Sequence, residues 1–201
     1  MSELQIKFPA HPVTDRILHT LLLSSILLLC VTGLYIHKPW MADGWGFMMS
    51  LMRGIHFLCA AILIITVIFR IVRMFVGPVK DWRNFIPNGE DMRLFGPFIN
   101  YYARIRPKPV TKKRYNAMQM LSYCLIFVLA IFQIVTGFVL QYPEALGGLS
   151  YGVFGNEVNA RVAHYIVTWI FIIFLIIHVY LSVRESLQEM KEMHLMQTPE
   201  D

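Results

Sequence analysis

Charge is scarce in this chain. Lys, Arg, Asp and Glu together make up 15% of its 201 residues, hydrophobic residues make up 56%, and the mean hydropathy is +0.53. A soluble domain carries about a quarter charged residues, so a large water-facing surface is excluded and a polytopic membrane protein is expected. Cysteine is equally sparse: Cys30, Cys59 and Cys124 stand singly in three different apolar stretches. That spacing excludes a zinc site, an iron–sulfur cluster or a redox pair and reads as small apolar packing residues. The opening segment, MSELQIKFPAHPVTDR, lacks a basic-then-apolar leader and a small-residue cleavage site, so the first apolar stretch is expected to stay in the protein. Lys and Arg are missing altogether from 141–160.

What is present is four apolar windows, at about 17–37, 46–73, 117–140 and 160–183, each long enough to cross a bilayer. The expected fold is an all-α membrane protein, a four-transmembrane-helix bundle in a single domain covering 1–201. Eleven of the eighteen Lys and Arg residues lie between Arg70 and Arg114, against Asp81, Glu90 and Asp91. The positive-inside rule therefore puts the basic loop, about 74–116, in the cytoplasm together with both termini. Prolines and aromatics interrupt that basic run beside membrane spans, which argues against a nucleic-acid partner. Thr14 and Asp15 are expected to cap the first helix. Arg70 and Arg73 are expected to reach for the headgroups, and Tyr35, Trp40 and Trp45 to form an interfacial belt. Within the loop, Phe95, Phe98, Ile99 and Tyr102 recur at roughly helical spacing. They predict an interfacial amphipathic segment facing lipid or solvent, or else a partner, broken at Pro97 and ended by Pro107 and Pro109.

Four of the seven histidines fall within the spans: His19, His56, His164 and His178. His164 and His178 are fourteen residues apart on the last span, which a helix converts to roughly 21 Å along its axis and within about 40° of the same direction. One ring then lies toward each surface of a hydrocarbon core about 30 Å thick. The alternating orientation of the spans sorts the four by depth, with His19 and His178 in the cytoplasmic half and His56 and His164 in the external half. Two histidines at one depth on different helices suit the axial positions of one six-coordinate iron, so two haems b held by these four ligands are expected, carrying electrons rather than binding oxygen. The alternative is four ordinary intramembrane histidines hydrogen-bonded across helices, although ionisable groups at that depth usually have a function. His11, His37 and His194 lie outside the spans and are assigned no role.

Two further regularities accompany the histidines. Arg16, Arg53 and Arg161 each precede a proposed ligand by three residues, one turn toward the nearer surface, where a guanidinium can meet a haem propionate or simply flank the membrane. The third span repeats a piece of the first: Val135, Thr136, Gly137 and Phe138 match Val31, Thr32, Gly33 and Leu34. Such small residues serve either as helix-packing points or as clearance for a flat macrocycle.

The pattern of RILH with VTGLYI, RGIHF with FRIVR, RYNAMQ with VTGFVL, and HYIVTW with HVYLSVRE resembles the b-type cytochrome subunits of membrane-bound nickel–iron hydrogenases, and also the related gamma subunits of formate dehydrogenases. The resemblance implies a prokaryotic cytoplasmic-membrane subunit attached to an extracytoplasmic iron–sulfur small subunit and nickel–iron large subunit. Electrons would pass from the haem of His56 and His164 to that of His19 and His178 and then to a quinone, menaquinone or ubiquinone, near the cytoplasmic face. The catalytic chemistry would belong to the partner subunits. In the formate dehydrogenase relatives an Asn at the start of the third helix lines the quinone site. The matching residue is Asn116, with Tyr115 and Gln119 beside it, but Met118 stands where those relatives have Gly. As a structural alternative, Asn116 is placed to cap the helix. A formate dehydrogenase or sulfur-compound reductase subunit, a free-standing di-haem cytochrome and a haem-free anchor are the rival readings.

Overall fold

The computed structural model describes residues 12–41, 46–76, 88–110 and 115–185, together with 187, 190, 191 and 193. Among them there are helices and no strands, in the order α1 (Val13–His37), α2 (Phe47–Val76), α3 (Gly89–Arg93), α4 (Phe95–Tyr102), α5 (Ala117–Gln141), α6 (Pro143–Leu149), one π turn (Ser150–Phe154) and α7 (Glu157–Glu185). The four long helices, α1, α2, α5 and α7, are each apolar and long enough to span a membrane.

Their surfaces are inverted relative to a soluble protein. Ser25, Thr32, Thr66, Thr136 and Thr168 are buried, whereas Ile65 and Ile176 are each 67% exposed. Water would penalise that arrangement; hydrocarbon favours it, because apolar side chains lose nothing by facing lipid while a hydroxyl needs a partner inside. Thr32, Thr66 and Thr136 each give their proton to the carbonyl one turn back, at 2.7, 2.7 and 2.9 Å.

Two compact units can be distinguished. One comprises Met1–His19, Arg70–Leu125 and Val179–Asp201, and the other comprises Thr20–Phe69 and Ile126–His178. In the first unit, several expected roles change. Helix α1 already begins at Val13, so Thr14 and Asp15 lie inside its first turn and do not cap it. The Asp15 carboxylate instead accepts from Arg73 Nε at 2.9 Å and pairs with Arg70 Nη1 at 3.4 Å. Both arginines thus share one carboxylate.

The amphipathic segment of the basic loop is also different in detail. Pro97 does not break α4; it sits in the first turn, where no helical N–H is required. The helix stops before the later prolines, at Arg104, which has a φ of 62°. There Ile105 N–H bonds to Asn100 O at 2.8 Å and Arg104 N–H to Tyr101 O at 3.0 Å, the 6→1 and 5→2 pair that satisfies terminal carbonyls. Phe98, Tyr101 and Tyr102 form its buried stripe, packed against Leu94, Met118 of α5 and Leu181 of α7, while Ile99 is 45% exposed. The stripe therefore faces the chain's own spans, not lipid, solvent or a partner.

In the second unit Tyr35 is fully buried with Trp40 edge-on against it, ring centroids 4.9 Å apart; Trp45 lies outside the described residues. The stretch between α5 and α7 forms α6 and the π turn, which hydrophobic periodicity did not signal. Gly155, at φ 80°, turns the chain, and Asn156 Oδ1 then accepts from Asn159 N–H at 2.8 Å to start α7.

Candidate functional site

Within the second unit the repeated Thr–Gly pairs and two of the histidines come together as two similar half-sites. On α1, Thr32 Oγ1 lies 2.8 Å from His56 Nδ1 of α2. On α5, Thr136 Oγ1 lies 2.7 Å from His164 Nδ1 of α7. Each threonine is followed by a glycine that faces the same ring. A Cβ on Gly33 would stand 3.3 Å from His56 Cε1, and one on Gly137 would stand 3.7 Å from His164 Cε1. The glycines thus clear room for the imidazoles, and the threonines hold them.

The second half-site is the more elaborate. Gln133 Nε2 donates to Thr168 Oγ1 at 3.2 Å, Thr168 Oγ1 donates to the His164 carbonyl at 3.0 Å, and Gln133 Oε1 stands 3.5 Å from Thr136 Oγ1. At the corresponding place on α1, three residues before Thr32, the chain has Leu29. His37, given no role from sequence, stacks on Tyr165 with ring centroids 4.1 Å apart; His11 and His194 are outside the described residues.

His178 belongs to the same unit and lies on α7 with His164, on one unbroken helix of 29 residues. Its ring stacks on Phe174, one turn earlier, at 5.6 Å. His19 lies in the other unit, on α1, half-buried. Of the three arginines, Arg16 is buried, and Arg53 and Arg161 are exposed. Among the described residues no group of three or more His, Cys, Asp or Glu is arranged to hold a metal ion. His56 and His164, imidazoles from different helices and each set on a glycine, have the chemistry to hold a haem.

Asn116 lies in the first unit, and its surroundings are a polar network that sequence did not reveal. Its Oδ1 accepts from Gln119 N–H at 3.0 Å and its N–H donates to Gln119 Oε1 at 2.9 Å, a reciprocal cap for α5. The remaining Nδ2 donates to Tyr102 Oη at 2.8 Å and to Glu185 Oε1 at 3.2 Å. Lys108 Nζ pairs with Glu185 Oε2 at 3.2 Å, and Tyr180 Oη donates to the Tyr102 carbonyl at 2.7 Å. Burial, reinforced by the Glu185 charge, pushes the Tyr102 phenol well above its ordinary range. Asn116 is therefore a helix cap whose free amide end ties α4 to α7. Met118, which marks a departure from the formate dehydrogenase pattern, packs under the α4 stripe.

The chain is 29% identical over 189 residues to a protein of Rhizobium leguminosarum bv. viciae named probable Ni/Fe-hydrogenase B-type cytochrome subunit, covering 86% of this chain and 79% of that one. A protein of the same name from Azotobacter vinelandii is 27% identical, covering 86% and 78%. The probable Ni/Fe-hydrogenase 1 B-type cytochrome subunit of Escherichia coli K12 is 25% identical, covering 86% and 80%. The family model described as prokaryotic cytochrome b561 matches residues 10–197, so the chain, with its four spanning helices and its intramembrane histidines, belongs to the prokaryotic cytochrome b561 family.

Proposed function

We propose that this chain is the membrane electron carrier of a nickel–iron hydrogenase, holding two haems b and delivering electrons to a quinone. Haem b, when bound, supplies reversible one-electron chemistry, and with two imidazole ligands it has no open position for a substrate. The observation that supports the reading best is the pair of Thr–Gly–His half-sites, which present imidazoles from α2 and α7 against residues of α1 and α5 that lack side-chain bulk. The relatives' names point to a Ni/Fe hydrogenase as the partner; in this reading it lies outside the cytoplasm and contributes its iron–sulfur and nickel–iron subunits.

The residues take the following roles in this reading. His56 and His164 ligate the outer iron, and His19 and His178 ligate the inner one. Arg16, Arg53 and Arg161 sit one turn from a ligand and can pair with propionates, since guanidinium binds carboxylate in a two-pronged fork. Asn116, with Tyr115 and Gln119, marks the quinone end in the cytoplasmic half. The apolar helix walls keep water from the carriers, and the quinone takes its protons from the cytoplasmic side.

The test is haem content per chain in detergent-purified protein, by alkaline-pyridine extraction with reduced-minus-oxidised spectra. About two low-spin b haems are expected. His56→Ala is expected to lose one and leave the other, with hydrogenase-dependent quinone reduction abolished. Haem-free protein made with ample haem would turn the reading to a membrane anchor, and a molybdopterin protein co-purifying in place of a hydrogenase would replace the partner.

A further inference from the structure

A threonine hydroxyl has one proton and two lone pairs. In both half-sites the proton has a partner within the threonine's own helix: Leu28 O is 2.7 Å from Thr32 Oγ1, and Phe132 O is 2.9 Å from Thr136 Oγ1. With the proton given to that carbonyl, the oxygen faces the imidazole nitrogen beside it as an acceptor; Nδ1 then carries the hydrogen, and in a neutral imidazole this leaves Nε2 with the bare lone pair. Gly33 closes against the Nδ1–Cε1 edge of His56, with its Cβ position 3.3 Å from Cε1 and 3.8 Å from Nδ1. That edge of the ring is seated on α1.

We propose that Thr32 and Thr136 are positioning residues for the two ligands: each hydroxyl accepts the Nδ1–H of its histidine, fixing both the tautomer and the ring angle that present Nε2 to iron. The inference rests on the haem reading above. The same device appears twice, on α1 for a histidine of α2 and on α5 for a histidine of α7. Metal-bound histidines commonly donate their second N–H to an oxygen, and loss of such a partner costs about 10–100-fold in metal affinity. A hydroxyl is a milder acceptor than a carboxylate. It therefore holds the ring without drawing the imidazole toward an anion, and its removal weakens ligand donation and raises the midpoint potential.

Thr66 supplies an internal control. It is buried on α2 and makes the same bond to the carbonyl one turn back, 2.7 Å to Ile62 O. The experiment compares Thr32→Val, Thr136→Val, the matching Thr→Ser changes and Thr66→Val in full-length purified protein. The readouts are haem per chain, the rate of haem transfer to an excess of an apo-haemoprotein acceptor, the low-spin EPR g values and the midpoint potential. Each valine variant at 32 or 136 is expected to release one haem roughly 10-fold faster, with shifted g values and a raised potential for that haem alone. Serine is expected to restore all three, and Thr66→Val to match wild type. A valine variant so impaired that it never acquires that haem supports the proposal when its serine counterpart acquires it. Wild-type behaviour of both valine variants would overturn it, as would equal losses in valine and serine, which would make the residue a spacer. Equal loss in Thr66→Val would overturn it too, since any buried threonine would then do the same. Haem-free wild-type protein would instead remove the parent reading, so the two failures are separable.

Discussion

At the scale of single residues, the two half-sites differ by a few tenths of an ångström, and that difference is enough to rank substitutions. A methyl at Gly33 would meet His56 Cε1 at 3.3 Å, tighter than an ordinary contact, whereas one at Gly137 would meet His164 Cε1 at 3.7 Å, a normal van der Waals separation. Gly33→Ala should therefore displace its ring while Gly137→Ala leaves its ring in place. Helix propensity acts in the opposite direction, since alanine stabilises a helix interior over glycine by about 1 kcal/mol, which offsets a mild overpacking cost of similar size. The expected outcome is a near-unchanged melting temperature for Gly33→Ala and a slightly raised one for Gly137→Ala, with altered low-spin EPR g values in Gly33→Ala only. Equal spectra for the two would mean that the ring has slack at α1. The candidate histidines could be read from the sequence because an ionisable group stands out in an apolar span. The threonines could not be assigned in the same way: as residues they look like ordinary packing points, and only the distance from Oγ1 to Nδ1 gives them a second role.

At the scale of elements, α4 shows where periodicity runs out. Its spacing announced a helix with one apolar stripe, but Phe95, Phe98, Ile99 and Tyr102 are compatible with several faces over eight residues. Contacts with Met118 and Leu181 select Phe98, Tyr101 and Tyr102. Nothing in the local sequence records those contacts, because their partners are on α5 and α7. The same contacts give a pH prediction. The Tyr102 phenol is raised by burial first and by the Glu185 charge second, so the folded protein holds that proton when the unfolded chain, with a tyrosine near pH 10, begins to lose it. The stabilisation is fully present below about pH 10 and is lost as pH rises above it, by up to roughly 1.4 kcal/mol per pH unit. Tyr102→Phe should lower the melting temperature at pH 7, through loss of the Asn116 hydrogen bond, by about 1 kcal/mol in stability. Between pH 9.5 and 11 it should decline less steeply than wild type. Parallel declines would show that Tyr102 does not titrate in that window.

At the scale of the whole molecule, the four spans were legible to within about four residues at their ends, because a long apolar run has few alternatives in either water or lipid. Helices α3 and α6 and the π turn were not, being short segments whose glycines and prolines fit equally well in loops. The orientation expected from charge has its own check. In a chain whose native cysteines are replaced by alanine, Arg106→Cys should react with a membrane-impermeant maleimide only from the cytoplasmic side, and Tyr151→Cys only from the opposite side. The reverse pattern would exchange the proposed inner and outer haems. The glycine-seated, threonine-held imidazoles have a final consequence for how such a molecule responds to its own traffic. On the di-haem reading, a ring fixed along one edge and tied at one nitrogen would have little freedom to tilt when the charge beside it changes by one electron, so the nuclear rearrangement that accompanies each transfer would stay small. A span built in this way would have its reorganisation energy lowered during folding, before any electron arrives.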